Sequence, residues 1–169
     1  MFWRRVFVAP AICLAIALLV AGCNKATPPA QASVTVTVPS EDPAASLVGR
    51  FKMGAGLESL ANQVAGTTTT FATLAQKHGV AGAQQLVKDE ISKVSPSYQG
   101  RWDQNLASIY SKHFSAEELR SLAAQGTSSP HVEKFRSTHA VVAAEMRVVS
   151  GPLLQQLVTE ALSSAVKQQ

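Results

Sequence analysis

The chain has 169 residues, of which 15% are charged, and a formal net charge of +4; Ala, Ser, Thr and Gln occupy surface that charged residues fill in most soluble proteins. Two of the positive charges are Arg4 and Arg5 at the extreme N-terminus, and setting them aside takes +4 down to +2. So small an excess does not support nucleic-acid binding, which requires a clustered basic face.

Basic Arg4 and Arg5 are followed by a continuous apolar or small run from Val6 to Ala21, interrupted only by Pro10. A basic start, a short apolar stretch and small residues at its end are the layout of a secretory signal, and the run falls short of the roughly 20 residues of a membrane-spanning helix. It closes on Val20-Ala21-Gly22-Cys23, which resembles the lipobox of bacterial lipoproteins. The resemblance implies cleavage after residue 22, a diacylglyceryl thioether on the Cys23 sulfur and acylation of the new amine. The competing reading is an ordinary secretory peptide or signal anchor in which the cysteine has no role. On the lipobox reading the protein is held in the bacterial cell envelope by several acyl chains, more than the two signals that stable anchoring needs. Cys13 would leave with the signal, so the mature chain would hold no pair of thiols for a disulfide. Asn24, in the second mature position, resembles the sorting pattern for the periplasmic face of the outer membrane in Gram-negative cells.

Residues 23–41 carry Pro28, Pro29 and Pro39 among Ala, Thr, Val and Ser, the composition of an extended, semi-rigid tether. Val34-Thr35-Val36-Thr37-Val38 alternates with the period of a strand. It has no partner strand in the chain, and the alternative is that it adds to the sheet edge of another protein.

From residue 42 to 169 the periodicity is helical. Asp42-Pro43 reads as an N-cap and first helical position for a helix with Leu47, Val48 and Phe51 on one side, broken by Gly54 and Gly56. Leu57, Leu60, Val64, Thr67, Phe71 and Leu74 then recur at alternating spacings of three and four. The stripe persists across a threonine run of poor helix propensity, where a break near Thr67 to Thr70 is the alternative, and Gly79 and Gly82 then punctuate it. A third helix carries Ala83, Leu86, Val87, Ile91 and Val94 and is expected to end before Ser95-Pro96. A fourth carries Trp102, Leu106, Ile109 and Tyr110. Phe114-Ser115-Ala116-Glu117-Glu118-Leu119 then spells a capping box, with Ser115 and Glu118 exchanging hydrogen bonds and Phe114 stapled on Leu119. In the helix that follows, Ser121 reads as an ordinary solvated position. A sixth helix places Val132, Phe135, His139, Val142, Met146 and Val149 on one face, Ser150-Gly151-Pro152 ends or kinks it, and Leu153 to Val166 complete an amphipathic segment. These elements predict an all-α, antiparallel bundle of about six helices.

The stretch IYSKHFSAEELRSLAA (Ile109 to Ala124), with Ser129-Pro130 and Lys134 beyond it, resembles a helical family of bacterial envelope proteins defined only as a domain of unknown function. Tyr110, Phe114, Ser115, Glu118, Leu119, Ser129, Pro130 and Lys134 fall on its pattern. Gln125-Gly126 replaces the family's Phe-Tyr pair, one extra residue precedes Ser129, and the glycine after Ser-Pro is missing. The resemblance covers about residues 100–160 and implies a helical fold and an envelope location, with no activity.

Chemistry-bearing groups are sparse. The four histidines, His78, His113, His131 and His139, contain no pair at helical ligand spacing, so no metal and no cofactor is expected. His139 lies on the apolar stripe and reads as a core or boundary residue. Gly54-Ala55-Gly56 lacks the preceding strand of a phosphate loop, and no nucleophile elbow is present. Tyr110 and Trp102, on one helix, read as core aromatics. The expectation is a non-catalytic binding or adaptor module that meets the membrane through Cys23 and an envelope protein partner through its helices. The alternative is an envelope enzyme or small-ligand-binding protein, pairing His113 with Glu117 or Glu118, or His131 with Glu133.

Overall fold

The computed structural model describes residues 42–168; the signal, Cys23 and the 34–38 alternation lie outside these residues. The described residues are all-α, an antiparallel helical bundle as the periodicity predicts: α1 (Pro43–Arg50), α2 (Leu57–Ala65), α3 (Thr69–His113), α4 (Ala116–Gln125), a single 3₁₀ turn (Gly126–Ser128) and α5 (Val132–Lys167).

Local chemistry sets the starts. The Asp42 carboxylate accepts from the amide of Ala44 at 3.0 Å with Pro43 in the first turn. Thr68 accepts from the amide of Phe71 at 3.1 Å. Of the two readings of the threonine run, a continuous stripe or a break near Thr67 to Thr70, the structure takes the break: α2 stops at Ala65, and the Thr68 hydroxyl supplies the acceptor that starts α3. The phase of α2 also differs from the stripe expected. Its buried positions are Leu57, Ala61 and Ala65, while Leu60 is exposed, because small side chains let α2 approach its neighbours closely. Ser115 accepts from the Glu118 amide at 3.2 Å and Glu118 from the Ser115 amide at 2.8 Å, completing the capping box; Phe114 and Leu119 are buried in one core.

Two prolines do not end helices. Pro96 lies inside α3 and Pro152 inside α5, against the expected stop before Ser95-Pro96. Each removes the donor to the carbonyl four residues earlier, Ser92 and Val148 respectively. Pro96, Pro152, Ser92 and Val148 are all exposed, so both interruptions of the hydrogen-bond ladder lie at exposed positions of their helices. Buried Ile91, Leu153 and Leu157 keep the inner faces packed. The true break in α3 is Gly79, at φ 71 and ψ 161, a backbone conformation closed to side chains with a Cβ.

α3 and α5 form the long hairpin on which the rest is mounted. Lys112 meets Glu145, Asn105 meets Ser150, Tyr98 meets Glu160 and Glu90 meets Gln168, each advance along α3 matched by a retreat along α5. Ser150 is fully buried, and its hydroxyl accepts from Asn105 at 3.0 Å, which fixes the register of the hairpin. One core joins α1, α4, the C-terminal part of α3 and the first half of α5; a second joins α2, the earlier part of α3 and the end of α5, and Trp102 packs against both. Both cores, as described, are built from side chains within residues 42–168.

Candidate functional site

An apolar pocket lies where α1, α4 and the start of α5 meet. α1 ends in a turn in which Lys52 adopts φ 49, and this turn carries Phe51 and Met53 toward the loop after α4. α4 ends at Gly126, whose φ of 57 turns the chain back. A Cβ there would meet Cζ of Phe51 at 3.4 Å, an ordinary contact, so it is the turn at positive φ, rather than the approach of the ring, that favours glycine. Leu47, Phe51, Met53, Leu122, Val132 and Phe135, with Gly126 and Thr127, line an open pocket of about 270 Å³. Phe51 is 49% exposed, a large apolar edge left at the mouth.

Below the pocket sits an aromatic floor. Phe135 stacks on Tyr110 with ring centres 5.5 Å apart and planes 12° from parallel, and Phe114 tilts against both. Burial pushes the Tyr110 hydroxyl up to about 12. Phe135, read from sequence as a core residue, is only partly buried because one side of it faces the pocket.

A polar belt ties this end of the bundle together. Lys134 donates to both oxygens of Glu118 at 2.8 Å and lies 4.7 Å over the Phe114 ring, while Nδ1 of His131 is 3.8 Å from Glu118. The Lys134 hydrogen bonds, then the Ser115 amide, hold the Glu118 carboxyl below its ordinary value. Ser121 exchanges a 2.9 Å hydrogen bond with buried Ser129, and so is not the solvated position its sequence context suggests.

The acid–base pairs considered from sequence do not assemble as written. His113 is 2.6 Å from Glu145 on α5, not paired with Glu117 or Glu118. His131 faces Glu118, while Glu133 pairs with Arg136. The capping box draws Glu118 across its own helix start and leaves Glu117 exposed. Glu145, which sequence reasoning overlooked, gathers both His113 and Lys112; the His113 hydrogen bond first, then Lys112, keeps its carboxyl low. Nothing local announces that contact, since His113 and Glu145 are 32 residues apart. His139 is exposed rather than core or boundary, because the buried face of α5 runs through Val142, Met146 and Ser150. His78 is exposed as well. Among the described residues no three His, Cys, Asp or Glu side chains converge to hold a metal ion, and no helix is long and apolar enough to cross a membrane.

Chemically, the belt is a set of mutually neutralising ion pairs between helices, and the pocket is a cavity that offers shape and apolar surface with almost no hydrogen-bonding groups. No family model, no curated protein and no solved structure matches the chain.

Proposed function

We propose that the protein is a lipid-anchored, non-catalytic binding module of the bacterial envelope. Its anchor is Cys23 and its binding feature is the apolar pocket between α1, α4 and α5. The observation that carries the binding reading is the pocket itself: six apolar side chains from three helical elements surround an open cavity, the usual construction of a small-ligand or side-chain receptor. The lipobox-like Val20-Ala21-Gly22-Cys23 after a basic and apolar run supports the anchor, and the family-like stretch from Ile109 supports the envelope location. The contacts of His113 with Glu145 and of His131 with Glu118, each reaching across to another helix, support a structural role for them.

The test fills the pocket without disturbing the core. Thr127 lines the cavity but is itself exposed, so Thr127→Trp can occupy the space from the rim. A strain carrying this variant at wild-type abundance is expected to reproduce the phenotype of deleting the gene. Wild-type behaviour at full abundance would overturn the pocket as the working site.

A further inference from the structure

The chemistry of the pocket and of its rim narrows what fits. Resting on the pocket as the functional site, we infer that it takes the acyl chain of a single-chain anionic amphiphile, of which a medium-chain carboxylate is the simplest member. The side chains of Leu47, Phe51, Met53, Leu122, Val132 and Phe135 carry no hydrogen-bonding N–H, O–H or carbonyl group. The buried part of the occupant is therefore hydrocarbon, since a polar group placed there would lose its hydration without compensation. The cavity of about 270 Å³ lies just under the ~300–1,000 Å³ of drug-sized sites. A cavity of this size, open at the mouth, suits a single acyl chain of medium length.

The charge beside the pocket is unbalanced in one direction. Arg50 and Lys52 flank pocket-lining Phe51 in the chain; both are exposed, and neither has an ion-pair partner among the described residues. On the opposite wall, the cations next to Val132 and Phe135 are matched: Lys134 by Glu118 and Arg136 by Glu133. Asp103, packed against Gly54, accepts from the neutral Gln99 amide at 2.9 Å and keeps its negative charge. The turn that carries Phe51 therefore sets two cations, Arg50 and Lys52, against one anion, and its balance is positive. Long Arg and Lys side chains lay their stems along apolar surface and keep their charge in water, which suits an anionic head at the mouth above a buried chain.

The chain from Asn24 to Gln169 keeps the whole helical unit without the cysteine, and circular dichroism melting checks that it and each variant unfold cooperatively. Calorimetric titration below the micelle concentration then compares decanoate, decan-1-ol and decyltrimethylammonium, with phosphatidylglycerol vesicles as a separate arm. Decanoate is expected to bind one to one and at least tenfold more tightly than decan-1-ol, and the cationic analogue to bind least. Thr127→Trp should abolish decanoate binding. The double variant Arg50→Glu/Lys52→Glu should erase the preference for decanoate over decan-1-ol while leaving decan-1-ol affinity unchanged. Equal affinity for the three amphiphiles, decanoate binding that survives Thr127→Trp, or binding to anionic vesicles without binding to monomeric decanoate would each overturn the inference. Absence of decanoate binding to the folded wild-type chain would do the same. It would leave the pocket reading to be decided by the Thr127→Trp strain.

Discussion

Gly54→Ala adds one methyl group where the fold has no room for it. Gly54 is buried in the turn between α1 and α2, and a Cβ there would lie 1.8 Å from Oδ1 of Asp103 and 2.9 Å from Nε2 of Gln99. Both obstructing atoms end side chains, so these can swing aside, but only by giving up what they hold. The Gln99 amide donates to the Gly54 carbonyl at 3.1 Å and to Asp103 at 2.9 Å. At about 0.5–1.5 kcal/mol for each hydrogen bond, their loss costs roughly 1–3 kcal/mol. Alanine returns about 0.4–1 kcal/mol by restricting the unfolded chain, leaving a net destabilisation of about 0–2.6 kcal/mol, centred near 1.3. Gly100→Ala is the control: Gly100 is exposed within α3 and its Cβ would meet nothing within 4 Å, so helix propensity alone should stabilise the protein by up to about 1 kcal/mol. In urea denaturation followed by circular dichroism, the two midpoints should move in opposite directions from wild type. A Gly54→Ala midpoint at or above that of wild type would refute the close approach of α3 to this turn.

Ser115→Ala removes the acceptor for the Glu118 amide and should cost about 1 kcal/mol, whereas Ser111→Ala, on the exposed side of α3, should leave the denaturation midpoint unchanged; equal shifts would count against the capping box. The Glu118 and Glu145 carboxyls titrate below their ordinary value in the folded chain. Their stabilisation is therefore complete above the unfolded value of about 4.3 and is lost as pH falls through the folded values. The double variant Glu118→Gln/Glu145→Gln should flatten the acid decline in stability, and an unaltered decline would contradict the pairing. Tyr110, pushed up to about 12, holds its proton in the folded state, so stability should be level to about pH 10 and fall above it; a Tyr110 phenolate signal near pH 10 in the folded protein would contradict its burial. Cys23→Ala should abolish metabolic palmitate labelling and leave the precursor uncleaved, and labelling at the wild-type level would remove the anchor from the proposal.

Features written in consecutive residues were legible. The Ser115–Glu118 box and the Asp42-Pro43 start depend on side chains reaching amides two or three positions away, and both stand as read. The overall helical class was legible for a similar reason, since apolar residues recur at the helical period through most of the chain. Thr68 was harder to see among four consecutive threonines, where several hydroxyls compete on paper for one cap. Pro96 misled because the local rule counts the donor lost there without showing that the helix continues past it on an exposed face, whereas at Pro152 the alternative of a stop falls away and α5 runs on. The inner face of α5 was phased from Val132 and Val149, but Ser150 is the residue that goes inside, because Asn105 satisfies its hydroxyl there. The candidate site was the least legible part. Leu47, Phe51, Leu122 and Phe135 were all assigned to apolar faces, yet that three elements leave a gap between them depends on the turn at Lys52 and the reversal at Gly126. The His113–Glu145 pair likewise exists only once α3 and α5 lie antiparallel.

The two methionines beyond Cys23 provide a direct readout of the pocket. Met53 and Met146 pack against the same core, but only Met53 lines the cavity. In a chain labelled with carbon-13 at the methionine methyls, decanoate should shift the Met53 resonance progressively to saturation at one equivalent and leave Met146 in place. A Met53 signal that does not move at saturating ligand, or that moves together with Met146, would contradict a binding site in this pocket.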